Sequence, residues 1–274
     1  MGFRYYIIGA LVFIIMQSFL IAGLFVQKRR KRSAEKLLKE QLMFETLLSE
    51  VSARFVNLPT DQIDSSILDT QRRVCEALEF DLSALWQLSV EDPDFIYQTH
   101  VYRPLGGPPV PERMEAKEYF PWNLQQLKEG KVIAVSTEEA PPEAARDQEV
   151  WRYYGIKSTL SFPLSVGGDS LIGALSFATM REERTWPEPL VKQLQLLAQV
   201  FANAIARKRA DGELRESAAR LSLATNAAGA GLWIMNAETG DIWVSERTRE
   251  LFRFSPDEKV TYERFFTVIH PDDH

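Results

Sequence analysis

Ser158-Thr159-Leu160-Ser161-Phe162-Pro163-Leu164-Ser165, then Val166-Gly167-Gly168-Asp169, then Ser170-Leu171-Ile172-Gly173-Ala174-Leu175-Ser176-Phe177-Ala178-Thr179, reads as two strands around a tight turn. Both runs are rich in apolar and β-favouring residues, and Gly-Gly-Asp supplies the backbone conformations that a hairpin turn demands. Two strands joined directly, with no crossover helix between them, pair antiparallel.

Upstream, a second pair has the same form. Leu82-Ser83-Ala84-Leu85-Trp86-Gln87-Leu88 and Phe95-Ile96-Tyr97-Gln98-Thr99-His100-Val101-Tyr102 flank the turn signal Glu91-Asp92-Pro93-Asp94. Before them, a helix capped by Thr60 or Asp61 is expected, with Ile63, Ile67, Val74, Cys75 and Leu78 on its apolar face. Between the pairs lie a proline-rich loop over 103–111, a short helix near Trp122 to Lys128, a small strand at Lys131 to Val135 and a helix over 142–154. A long helix follows from Pro187, carrying Leu190, Leu194, Leu197, Phe201 and Ile205 on one face. This order predicts an α+β domain whose central antiparallel sheet is flanked by helices.

The N-terminus has a different solvent. Residues 5–26, opening Tyr5-Tyr6-Ile7-Ile8 and closing Leu24-Phe25-Val26, carry no charge, and Lys28-Arg29-Arg30-Lys31-Arg32 follows. A run of that length crosses a bilayer core of about 30 Å, and the basic stop places the rest of the chain in the cytoplasm of a single-pass inner-membrane protein. Ala34, Leu37, Gln41, Phe44, Leu48, Val51 and Phe55 then recur in steps of three and four. The stripe predicts a juxtamembrane helix over 27–43 that pairs in a parallel homodimer; a helix packing on its own domain gives a similar stripe.

Composition permits packed cores: 45% of the 274 residues are hydrophobic and 26% charged. A net charge of −6 argues against nucleic acid as a partner. The single cysteine, Cys75, excludes an internal disulfide and suits a reducing compartment.

The second half ends in two short strands, Gly231-Leu232-Trp233-Ile234-Met235-Asn236 and Asp241-Ile242-Trp243-Val244, with helical segments at 246–252 and 262–269. Two strands do not cover those helices, so a domain cut off before its core is complete is expected.

In element order, and in Phe162-Pro163-Leu164 with Gly173-Ala174-Leu175-Ser176-Phe177, residues 44–207 resemble a GAF domain. That resemblance implies a strand of this hairpin beside a ligand cavity. Residues 221–274 resemble the first half of a PAS domain, in Gly231-Leu232-Trp233, Thr239-Gly240, Leu251-Phe252-Arg253-Phe254-Ser255 and His270-Pro271-Asp272-Asp273. A linker helix over 208–220 joins the two. The whole order is similar to the input half of bacterial sensor histidine kinases. It implies a sensory region that relays a signal to a kinase module, and through it to a response regulator. An output that is a diguanylate cyclase, or a tethered module with no enzymatic output, remains open. The resemblance also implies a cysteine at the pocket if a bilin is attached; Cys75 falls instead on a helix's apolar face.

No catalytic constellation is present. The serines at 83, 161 and 176 lack a neighbouring base, and the glycine pairs lack a phosphate-cradling pattern. His270, Asp272 and His274 could hold a metal, but Pro271 breaks the helix that would bring both histidines to one face and capping explains Asp272 and Asp273 better, so no metal is expected, and the sequence identifies no cofactor. A small-molecule pocket over a sheet face is the functional expectation, with Trp86 and His100 on the hairpin and Tyr119, Phe120 and Trp122 on the segment covering it. Filling the core is the competing role for each.

Overall fold

The computed structural model of the chain describes residues 44–89, 91–92, 94–167, 170–236 and 239–270. The expected membrane helix at 5–26 and linker at 27–43, the turn residues Gly168 and Asp169, and Pro271 to His274 lie outside the described residues. Among the described residues no helix is long and apolar enough to cross a membrane. Two compact units divide between Ala206 and Arg207.

The first unit is built on a six-stranded antiparallel sheet in the order β3-β2-β1-β6-β5-β4. The strands are β1 (Leu82–Leu88), β2 (Phe95–Tyr102), β3 (Arg113–Glu115), β4 (Ile133–Ser136), β5 (Ser158–Val166) and β6 (Ser170–Thr179). The expected hairpin is the β5–β6 pair, with Phe162 opposite Leu175 and Leu160 opposite Phe177. β6 then pairs with β1, closing the two hairpins into one sheet. Strand β3 escaped the sequence reading because it is three residues long and sits at the end of a proline-rich loop.

Helices α1 (residues 44–56), α2 (Ile63–Leu78) and the start of α6 (Glu188–Ala227) cover one face of this sheet. Leu85, Leu160, Phe162, Leu164, Leu175 and Phe177 point into that layer and are fully buried. They meet Phe44, Val51 and Phe55 of α1, Ile67 and Val74 of α2, and Leu194 and Phe201 of α6. The part of the expected dimer seam that is described, from Phe44 on, therefore packs on its own domain. The cap of α2 differs from expectation: Thr60–Gln62 form a 3-10 turn, and Gln62 opens the helix without a side-chain cap. Glu79, at a left-handed φ of 56°, ends it. The two ends of the sheet's central strands are tied by Asp81, whose carboxylate accepts from the Met180 and Arg181 backbone and from the Arg181 guanidinium at 2.6 Å.

The opposite face carries α3 (Ala116–Tyr119), α4 (Pro121–Lys128) and α5 (Ala145–Tyr153). Burial here is looser, around Ile96, Met114, Ala116 and Leu124.

Helix α6 runs unbroken through Gly212 to Ala227. The second unit then forms a three-stranded antiparallel sheet of β7 (Trp233–Met235), β8 (Asp241–Val244) and β9 (Val260–Thr261), in that order. The short β9, missed in the sequence, corrects the two-strand expectation. It completes a small core of Ile242, Val244, Phe254, Val260 and Phe265 with α7 (Glu246–Phe252) and α8 (Tyr262–Phe266). Ser245 caps α7 by accepting from the Thr248 backbone. The alternate face of the sheet leaves the cross-strand pair Ile234 and Trp243 exposed.

Candidate functional site

Strand alternation creates the site. On β1 and β6, Leu85, Leu175 and Phe177 fill the α1–α2–α6 layer, whereas Ala84, Ala174, Ser176 and Ala178 face the other way. Small side chains on that side leave a void under α4 and α5 that the helices do not fill, and its volume is about 110 Å³. The sheet contributes Trp86, Ile96, Gln98, Thr159, Ser161 and Gly173 as well; α4 contributes Asn123, Leu124 and Leu127; Phe120, Trp151, Tyr154 and the loop residues Arg103 and Val110 are also in the lining. An apolar cavity with a few polar groups converging on it is the usual form of a small-molecule site.

Helix α4 is held over this void by a buried carboxylate. Asp147 of α5 accepts from the backbone N–H groups of Trp122 (3.2 Å) and Asn123 (2.9 Å), satisfying donors that a helix start leaves free. Burial pushes the Asp147 carboxyl above the usual range, while these same N–H bonds pull it back.

Two residues that line the cavity each carry a buried polar atom with no partner. Asn123 Oδ1 and Arg103 Nε are buried without a hydrogen bond among the described residues. Buried polar atoms are nearly always paired, so two orphans within the lining residues are unusual. Burial also raises the Tyr154 phenol, which stays neutral at ordinary pH.

Of the residues expected at the pocket, Trp86 and Phe120 line it, their rings 6.4 Å apart. Tyr119 packs beside the cavity under Arg146, and Trp122 stands edge-on to Trp151; neither reaches the lining. His100 is on the opposite face. The reason is a bulge: Leu85 pairs with His100 but Trp86 pairs with Gln98, so Thr99 is an extra residue that reverses the alternation. Val101 turns to the cavity and His100 to α2, with Nε2 3.3 Å from Asp64 and Nδ1 2.9 Å from the Thr99 hydroxyl. The sequence reading overlooked Arg103, Asn123, Thr159 and Ser161. The small-residue positions of β6, alternating with Leu175 and Phe177, were the available signal.

Cys75 belongs to the α1–α2–α6 layer and does not line the cavity. Burial first, and then the charges of Asp81 and Glu76, push its thiol up to about 12. Cys75, the one cysteine of this sequence, is therefore not placed to attach a cavity ligand. Among the described residues no cluster of histidine, cysteine or carboxylate groups could hold a metal ion.

No curated protein matches the chain. Solved structures do. The phycocyanobilin-bound GAF domain from a cyanobacterial phytochrome is 20% identical, over 61% of this chain and 96% of that one, with a TM-score of 0.51. The GAF domain from a phosphoenolpyruvate-protein phosphotransferase of Coxiella burnetii is 17% identical, over 63% and 98%, with a TM-score of 0.50. At such identities the likeness is one of fold. Residues 64–207 match the sequence model of the GAF domain, a ligand-binding sensory domain of diverse signalling proteins. With its six-stranded antiparallel sheet, helical layers and cavity, the chain belongs to the GAF domain family.

Proposed function

We propose that the chain is the sensory input region of a membrane-bound two-component histidine kinase. A small ligand enters the GAF cavity, and the event is relayed through paired linker helices to a kinase module and its response regulator. The observation that carries the ligand part is the cavity under α4, whose largely apolar lining carries a few polar side chains, Arg103 and Asn123 among them. The membrane anchor rests on the uncharged run at 5–26 and the basic stop after it; the kinase rests on the order of anchor, GAF domain and PAS-like segment. Pairing of two copies is supported by α6, where Leu214 and Leu221 recur at heptad spacing and stand 70% and 57% exposed. A ligand would act by favouring one of two packings of these helices over the other.

Two experiments test this reading. Thermal unfolding is measured with ring-sized compounds, on the chain and on Leu124→Trp, which fills the cavity. A compound that stabilises the parent but not the variant supports the sensor; equal shifts in both dismiss the cavity. Reading the coding DNA past residue 274 tests the output. A histidine-bearing helix pair with an ATP-binding domain supports the kinase; a cyclase domain, or a stop codon, replaces it by a second-messenger enzyme or a tethered binding module.

A further inference from the structure

Arg103 follows directly on β2 and lines the cavity. Its Nη1 donates to the Pro108 carbonyl at 2.9 Å, and its Nη2 to the Tyr154 carbonyl at 3.4 Å. Both partners are neutral, and no carboxylate among the described residues forms an ion pair with this guanidinium. Its Nε is buried and unpaired. Of the five N–H groups of an arginine, two are then used to hold the fork in place, and the other three, the sealed Nε–H among them, have no hydrogen-bond partner among the described residues.

The chain makes specific room for this arrangement. Gly107 stands at a φ of +137°, and a Cβ there would overlap the guanidinium of Arg103. A half-buried cation without a counter-charge is costly, and an anion that brings two oxygens to a guanidinium edge recovers that cost better than any neutral group. The second unpaired group, the carboxamide oxygen of the buried Asn123, is an acceptor and takes no part in holding an anion's oxygens. The remaining walls are largely apolar, Trp86, Phe120, Leu124 and Trp151 among them, with the polar side chains of Gln98, Thr159, Ser161 and Ser176 on the sheet side.

We infer that the cavity takes a compact organic anion: a carboxylate on a body the size of one ring, its oxygens on Arg103 and its apolar part between α4 and the sheet. The void of about 110 Å³ is smaller than the cavity of about 150 Å³ that holds benzene, but it is partly open, so the body is at most one ring and part of the ligand reaches the mouth. The inference rests on the reading of this cavity as a ligand site and names the class of ligand.

The test compares 4-fluorobenzoate with its neutral counterpart 4-fluorobenzamide, by ¹⁹F NMR titration against the full chain. The benzoate is expected to bind at least tenfold more tightly. Arg103→Gln should erase that preference while leaving benzamide binding intact, which also shows that the variant is folded. Gly107→Ala, which displaces the guanidinium without removing its charge, should weaken the benzoate alone. Leu124→Trp should abolish both. Equal affinities for the two probes in the parent chain, or an undiminished preference in Arg103→Gln, would overturn the anion while leaving the cavity a ligand site. Binding of neither probe would overturn both.

Discussion

The backbone of β6 at Gly173 lies so close to β1 that a Cβ there would overlap the carbonyl oxygen of Trp86. Trp86 is also the cavity residue whose ring meets Phe120 across the void. Gly173 thus sets the spacing of the two central strands and, through Trp86, the position of one cavity wall.

Gly173→Ala should cost about 1–3 kcal/mol, the usual range for forcing extra volume into a packed site. Chemical denaturation will show it as a lowered midpoint at unchanged slope. An unaltered midpoint would mean that the strands separate freely at this point.

Cys75 should be inert in the folded chain. Its thiol, pushed up to about 12 by burial and by the charges of Asp81 and Glu76, carries almost no thiolate at pH 8. Iodoacetamide labelling followed by mass spectrometry should find it unmodified until denaturant is added. Fast labelling under native conditions would contradict its place in the core.

Asp81 should govern part of the acid stability. Burial opposes its ionisation, but the N–H groups of Met180 and Arg181 and the Arg181 guanidinium outweigh this and hold the carboxyl below its usual value. A carboxyl lowered by folding contributes stability above its unfolded value of about 4, and loses it as pH falls through the lowered folded value. Asp81→Asn should therefore destabilise the domain by about 1–3 kcal/mol at pH 7, with the deficit shrinking below pH 4. A deficit that is independent of pH would show that packing, rather than charge, ties these strands.

Leu214→Asp combined with Leu221→Asp should convert a dimer into a monomer in sedimentation, with the thermal unfolding of the GAF domain unchanged. Retention of the dimer would place the pairing surface elsewhere.

How far the sequence foretold these features follows from what each depends on. Strands β1, β2, β5 and β6 were legible because each carries seven to ten residues of consistent pattern between turn signals. The short β3 and β9 were not, since two or three residues make no period. Trp86 and Phe120 were reachable as aromatics near a sheet face. His100 was misplaced because a one-residue bulge at Thr99 leaves no mark in composition, yet reverses every later side chain of the strand. Arg103 was hidden for another reason: its role depends on Pro108 and Tyr154 carbonyls contributed by a loop and a helix end. The seam at Phe44, Val51 and Phe55 shows a further limit, because a helix buried on its own domain and one buried on a partner share a single stripe.

The most direct test of the account is to locate the bound probe. With methyl-labelled chain and either 4-fluorobenzoate or 4-fluorobenzamide at saturation, methyl NMR distinguishes the two faces of the sheet. Shifts are expected at Ile96, Leu124, Leu127 and Leu171, which line the cavity, with still signals at Leu160, Leu194 and Leu197 in the opposite layer. Shifts confined to that opposite layer, or spread over exposed leucines such as Leu214, would contradict it.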